Sequence, residues 1–227
     1  MQNIKHSVIV PCYIPRPEKV IMTQKCIELA KSKTKVPFQL IVAETCSNYF
    51  IDQCDIHIYE KDRTCTATSF NRAIRLADGE YVTILNNDVF VSDNWMECLE
   101  DCFRIEDCGI ATLGSNEAKS IKQDKIEEAL WFALTMIPKS LYEKLGYFDS
   151  SYRNGSFDDT DFVMKAVLAG KKCYRNLNCI VEHLVHRTHQ HLEAHNENYA
   201  YNRQLFNSRY EDLAMTPHQR NFFEFVR

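Results

Sequence analysis

Along the first half of the chain, apolar positions alternate between two periods. Ser7 to Tyr13 (SVIVPCY) is a short apolar run ending in the loop Ile14-Pro15-Arg16-Pro17, the form of a buried strand. Glu18 to Lys31 spaces Val20, Ile27 and Ala30 as a helix does, with Pro17 suited to its first turn. Phe38 to Ala43 (FQLIVA) reads as a second buried strand and Ile56 to Tyr59 as a short third. Thr68 or Ser69 is placed to cap a helix whose stripe is Phe70, Ala73, Ile74 and Ala77, closed by Gly79. Glu80 to Leu85 (EYVTIL) is another strand, and the polar triplet Asn86-Asn87-Asp88 follows it. Ser92 or Asp93 then opens a helix carrying Trp95, Leu99, Cys102 and Phe103 on one side.

Farther on come an apolar run from Trp131 to Ile137, a helix from about Asp159 to Ala169 ending at Gly170, and the strand-like Cys179-Ile180-Val181-Glu182. From about His189 the chain is polar, rich in His, Asn and Arg, and weakly helical. Strands alternating with helices predict an α/β fold with a parallel or mostly parallel, doubly wound sheet. No repeat, low-complexity tract or linker divides the sequence, so one domain over residues 1–227 is expected.

Composition narrows the function classes. Hydrophobic residues at 45% and charged residues at 26% are the balance of an ordinary globular protein. A formal charge of -4 supplies no general attraction for nucleic acid or anionic membrane. No apolar run reaches the length of a bilayer span. The apolar stretch in MQNIKHSVIVPCY lacks the length and cleavage site of a signal peptide. None of the ten cysteines forms a C-x-x-C pair, and Cys12, Cys26, Cys98, Cys102, Cys173 and Cys179 read as small buried hydrophobes. A cytoplasmic protein is expected.

In an open α/β sheet, ligands bind beyond the carboxyl ends of the strands. Pro11 to Tyr13, Glu44, and Asn86 to Asp88 fall there. No Gly-x-Gly-x-x-Gly or Walker loop follows any strand, so a nucleotide diphosphate would need another neutraliser, most simply a divalent cation held by carboxylates. Asp88 is the candidate ligand, although Asn-Asn-Asp is also good turn chemistry without any metal. In Asp158-Asp159-Thr160-Asp161, Asp158 as cap with Asp161 three residues on resembles a capping box. That leaves Asp159 without a structural duty and assigns it to chemistry. His183 sits at a strand end, whereas His186, His189, His191 and His195 read as solvated surface; no cysteine ligand pattern supports a zinc site among them.

Taken in order, SVIVPCYIPRP, FQLIVAETCS, TSFNRAIRLADGEYVTILNNDVFVSDNW, LTMIPKSLYEKLGYFDSSYRNGSFDDTDFVMKAVLAGKK and IVEHLVHRT form a recognisable series. It resembles the family-2 glycosyltransferases with the GT-A fold, particularly the branch of bacterial-type rhamnosyl- and galactofuranosyl-transferases. The resemblance covers roughly residues 6 to 190. It implies a single Rossmann-like domain with a mostly parallel mixed sheet flanked by helices. Its nucleotide-binding half would run over about 1–90, its catalytic and acceptor half over about 91–190, and the tail would follow. Pro11, Tyr13, Arg16 and Glu44 would line the nucleotide pocket, Glu44 standing where the family usually has Asp. Asn71 and Arg72 would border the donor, with Asn87 beside them.

Asn86-Asn87-Asp88 corresponds to the family's Asp-x-Asp motif with the final acid kept, leaving Asp88 as the carboxylate ligand of Mn2+ or Mg2+. His183 matches a later histidine that completes the metal site in part of the family, with His186 as the fallback. Asp159 matches the second acid of a pair that provides the catalytic base, and Trp131 to Met136 would form the wall facing the sugar. The implied activity is inverting transfer from a UDP-sugar, or a dTDP-sugar, to a hydroxyl of a glycan or glycoconjugate in polysaccharide biosynthesis. The membrane-binding or oligomerising extensions common in relatives are absent from this stretch. A sugar-nucleotide nucleotidyltransferase is the nearest rival, but its usual Gly-rich basic loop is missing after the first strand. A non-catalytic nucleotide- or glycan-binding module is the other.

Overall fold

The computed structural model describes residues 4–14, 17–45, 51, 53–61, 65–116, 125–129, 133–153, 156–184 and 195–227. Arg16, Trp131, His186, His189 and His191 lie outside the described residues. In chain order the elements are β1 (His6–Tyr13), α1 (Pro17–Lys33), β2 (Phe38–Thr45), β3 (Ile56–Glu60), α2 (Thr66–Leu76), β4 (Tyr81–Leu85), β5 (Val89–Phe90) and α3 (Trp95–Cys102). There follow β6 (Cys108–Ser115), β7 (Ile126–Glu128), β8 (Leu134–Pro138), α4 (Lys139–Leu145), α5 (Asp158–Leu168), β9 (Lys172–His183), α6 (His195–Tyr210) and α7 (Pro217–Val226).

The sheet runs β3-β2-β1-β4-β8-β6-β9-β5, with β7 on β9. Strands β3, β2, β1 and β4 pair in parallel; β8 is antiparallel to both β4 and β6; β9 returns parallel to β6. Apart from β8 and the short β5 and β7, all strands therefore point the same way and finish at one edge. This is the mostly parallel α/β sheet expected from the alternating pattern. On one face, α1 and α3 bury Cys26, Ile27, Ala30, Trp95 and Leu99 against Val8, Val10, Leu40 and Val42. On the other, α2, α4 and α5 bury Ile74, Tyr142, Phe162 and Val163 against Ile9, Ile41 and Ile84. Such continuous apolar strands are what a sheet covered on both faces requires.

The helix starts differ from the capping predicted. Cys65, Asn94 and Phe157 occupy the N-cap positions of α2, α3 and α5, and none donates or accepts a side-chain cap bond. Asp158 and Asp161 therefore form no capping box; both lie inside the first turn of α5. Gly79 does not cap α2, which ends at Ala77 in extended geometry. Its reason is close approach, since a Cβ there would lie 2.5 Å from the Ser7 backbone nitrogen. Gly170, at φ 77°, does take the left-handed conformation expected just past α5.

The polar tail is two full helices. Its apolar residues Phe206, Tyr210 and Phe223 pack with Tyr152, Phe157 and Met164 into a third small core. The start of α7 was marked in the sequence: Thr216 and Gln219 form a reciprocal capping box with Pro217 at the first helical position.

Candidate active site

Because β1, β2, β4, β6 and β9 finish at one edge, their last residues meet although far apart in sequence. Tyr13 ends β1 beside Thr45, Pro11 lies two residues earlier, and Cys12 is in register with Glu44. The Glu44 side chain is fully buried. Its Oε2 lies 2.7 Å from Nε2 of His57 on β3. Since a carboxylate only accepts, the histidine presents an N–H at Nε2. The other oxygen, Oε1, has no hydrogen-bond partner among the described residues. A buried oxygen left in that state costs about 1–3 kcal/mol, which a ligand N–H can recover.

Asn71 is committed elsewhere. Its Nδ2 donates to Phe148 O at 2.7 Å and its Oδ1 accepts from Phe148 N at 3.0 Å. The side chain thus clasps the loop after α4 to helix α2. Arg72 is exposed, with Nη1 3.6 Å from Oε1 of Glu60 at the end of β3.

The Asn86-Asn87-Asp88 turn is fastened to α1 from beneath. Asn87 Nδ2 donates to Thr23 Oγ1 at 2.8 Å, and Cys26 Sγ–H points to Asn86 O at 3.6 Å. Asn87 is therefore a structural pin of the turn. Asp88 escapes that pinning through the β5–β9 ladder, in which Val89 is in register with His183. Leu184 N donates to Asp88 O at 3.0 Å. The Asp88 carboxyl Oδ1 and the His183 Nε2 converge at 3.4 Å, with side chains only 10% and 12% exposed.

One carboxylate oxygen from the turn before β5 and one imidazole nitrogen from the end of β9 fit a divalent cation that takes mixed ligands. Mn2+ suits this set better than Mg2+, which favours oxygen throughout. Among the described residues no third His, Cys, Asp or Glu joins them, and no zinc-type cluster is present.

The acidic pair lies at the start of α5. That helix ends just before Lys172, which pairs with Cys108 at the beginning of β6. Its N-terminus accordingly faces the edge where the strands finish. Phe157, immediately before the pair, has φ 70° and ψ -12°. A left-handed conformation in a non-glycine residue costs roughly 1–2 kcal/mol and persists only where the surroundings enforce it. Asp158 is buried, and burial, with the adjacent Asp159 charge second, pushes its carboxyl up to about 7. Asp159 is half-buried, and its Oδ1 accepts from Thr160 N at 2.7 Å.

Asp161 belongs to the scaffold. It is fully buried and bound by Tyr152 Oη at 2.9 Å, Tyr210 Oη at 2.7 Å and Lys165 Nζ at 2.7 Å. His57 and Thr23 were missed in the sequence. Strand parity could have exposed His57, because in IHIYE it faces opposite to Ile56 and Ile58 and stands in register with Val42, two residues before Glu44.

An open α/β sheet with a carboxylate–imidazole pair and an acidic pair at its carboxyl edge places these groups where such sheets bind ligands. The chain belongs to glycosyl transferase family 2, whose model matches residues 7–157. That match includes Asp88 and stops immediately before Asp158. No curated protein matches the chain. Among solved structures, S. aureus TarS 1-349 in complex with UDP-GlcNAc is 16% identical at TM-score 0.72, covering 98% of this chain and 71% of that one. Mannosyltransferase PcManGT from Pyrobaculum calidifontis, in complex with GDP-Man and Mn2+, is 17% identical at TM-score 0.72, covering 97% and 68%. GalNAc-T7 with UDP, GalNAc and Mn2+ is 11% identical at TM-score 0.69, covering 99% and 55%. Against the longer S. aureus TarS chain, this sequence spans 43%. The fold is GT-A. Among the described residues no helix is long and apolar enough to cross a membrane, and every cysteine is a free thiol.

Proposed function

We propose that the protein transfers a sugar from a nucleotide diphosphate to an acceptor hydroxyl of a glycan or glycoconjugate, with inversion and with a divalent metal. The observation that carries this reading is the convergence of Asp88 and His183 at 3.4 Å on the strand edge. Those two residues would hold the metal, which when bound supplies positive charge to the leaving diphosphate.

The remaining work falls to the chain's own groups. The attacking hydroxyl is a weak nucleophile, and Asp159 accepts its proton as the bond to the anomeric carbon forms. The transition state at that carbon is oxocarbenium-like, as in glycoside hydrolysis, and a single displacement inverts the configuration. Asp158, with its carboxyl raised to about 7, retains its proton more readily than an ordinary aspartate. It thereby limits the negative charge built up beside the base. Exposed Arg72 is within the same edge region and can approach the diphosphate as donor binds. The end of β1, Pro11–Tyr13, and Arg16 would complete the nucleotide pocket in this reading, with Trp131 to Met136 toward the sugar.

Glu44 favours a uracil or thymine donor. One of its oxygens is taken by His57, which leaves a single acceptor oxygen for a single ring N–H, the pattern of a pyrimidine imide. Guanine offers two adjacent N–H donors and would want both oxygens. The TarS complex with UDP-GlcNAc supports a UDP-sugar, and the Mn2+ complexes support the metal. Kinship with rhamnosyl- and galactofuranosyl-transferases, a role in polysaccharide biosynthesis and a single domain in the cytoplasm remain parts of this proposal.

The test is a donor screen with Mn2+ or Mg2+, following nucleotide release with and without acceptors. Metal-dependent binding of UDP or dTDP and acceptor-stimulated release are expected. No metal-dependent binding of any nucleoside diphosphate would overturn the reading.

A further inference from the structure

We propose that α6 is the element that aims the catalytic base, with Asn202 as its principal positioning residue. This rests on the reading of Asp159 as the base. Asn202 is fully buried in an otherwise polar helix. Its Oδ1 accepts from Arg153 N at 2.8 Å, while its Nδ2 donates to Arg153 O at 2.7 Å and to Ser156 O at 2.8 Å. One side chain thus ties both ends of the segment that delivers Phe157 and the acidic pair.

The same helix enforces the left-handed turn. The Phe157 ring lies 5.4 Å, centroid to centroid, from both Tyr199 and Phe206. Since α5 has no side-chain cap of its own, these contacts are what hold the turn at φ 70°. On either side, Arg209 Nη2 meets Asp149 Oδ2 at 2.7 Å, and Tyr210 Oη donates to Asp161 Oδ1 at 2.7 Å. Helix α6 therefore grips the acid-bearing segment before and after Asp159. None of these contacts reaches the metal ligands or Glu44. Loosening α6 should misdirect the base and leave the nucleotide site intact, and displacements near 1 Å cost about 100-fold in rate.

The experiment compares Asn202→Ala, Tyr199→Ala and Asp159→Asn, using UDP binding with Mn2+, thermal unfolding, and kcat and KM on the sugar nucleotide that the wild type turns over. For Asn202→Ala, kcat is expected to fall about 100-fold. UDP affinity and donor KM should stay within about twofold, measured well below its unfolding temperature. Tyr199→Ala removes one partly exposed ring and keeps the hydrogen bonds, so a smaller fall in kcat with unchanged UDP binding is expected. It decides the matter if Asn202→Ala does not fold. Wild-type kcat in a folded Asn202→Ala, or in Tyr199→Ala if that is the surviving variant, overturns the proposal. So does a parallel loss of UDP binding and kcat, which marks a merely structural residue. If Asp159→Asn itself transfers normally, it is the assignment of the base that has failed.

Discussion

Asp88 reaches the sheet edge at the end of a strand, over a turn fastened by Thr23 and Cys26 of the neighbouring helix α1. Asp159 reaches the same edge in the first turn of α5, which follows a left-handed Phe157 and is braced by helix α6. The first acid is placed by strand register, which is set by the apolar pattern and is hard to shift. The second is placed by long-range hydrogen bonds and aromatic packing. Metal and nucleotide binding should therefore survive damage that disables the base, whereas damage to the Asp88 turn removes both.

The largest effect expected is at the base. Asp159→Asn should lower transfer by about 10²–10⁴-fold, the range for a positioned general base, while UDP still binds with Mn2+. Next come the proposed metal ligands. Asp88→Ala or His183→Ala should cost roughly 10²–10³-fold in kcat and remove the dependence of UDP binding on Mn2+, and a chelator should do the same to the wild type. The Asn202→Ala variant falls between these and the pocket residues, and like Tyr199→Ala it separates catalysis from binding without touching either acid.

Glu44→Gln tests the nucleotide half without touching catalysis directly. Loss of a charged acceptor should weaken UDP binding by about tenfold or more, and the new amide should improve CDP, whose ring nitrogen accepts a hydrogen bond. Titration of UDP and CDP against wild type and variant checks both directions.

The smallest effect is at Asp158. Burial raises its carboxyl to about 7 from an ordinary 3.8, so the folded protein binds a proton that the unfolded chain has released. Its contribution to stability is therefore complete below about pH 4 and is lost as pH rises through about 7. Asp158→Asn should remove that slope: the variant's Tm relative to wild type should be higher at pH 8 than at pH 4, and the pH–rate profile between 6 and 8 should flatten.

The first half was legible because its strands are continuous apolar runs whose ends carry polar residues. Reading strand ends brought Glu44 and Asp88 to one edge, and strand β9 brought His183 there. Much of the second half was not legible. Strand β6, with its small residues CGIATLGS, has weak periodicity, and β9 mixes Arg175, Asn176 and Asn178 into a strand that pairs on both sides. Helices α6 and α7 look polar because only a few residues of each, such as Phe206 and Phe223, meet the third core. Asn202 resembled any surface asparagine, since its partners are backbone atoms near Arg153 that no sequence pattern points to. Asp158 and Asp161 were read as a local cap, but tertiary partners had claimed one and burial the other.

The most direct measurement is transfer and Mn2+-dependent UDP binding by Asp159→Asn, side by side with the wild type. Binding retained with transfer reduced at least about 100-fold is predicted. Transfer at a near wild-type rate would contradict the account.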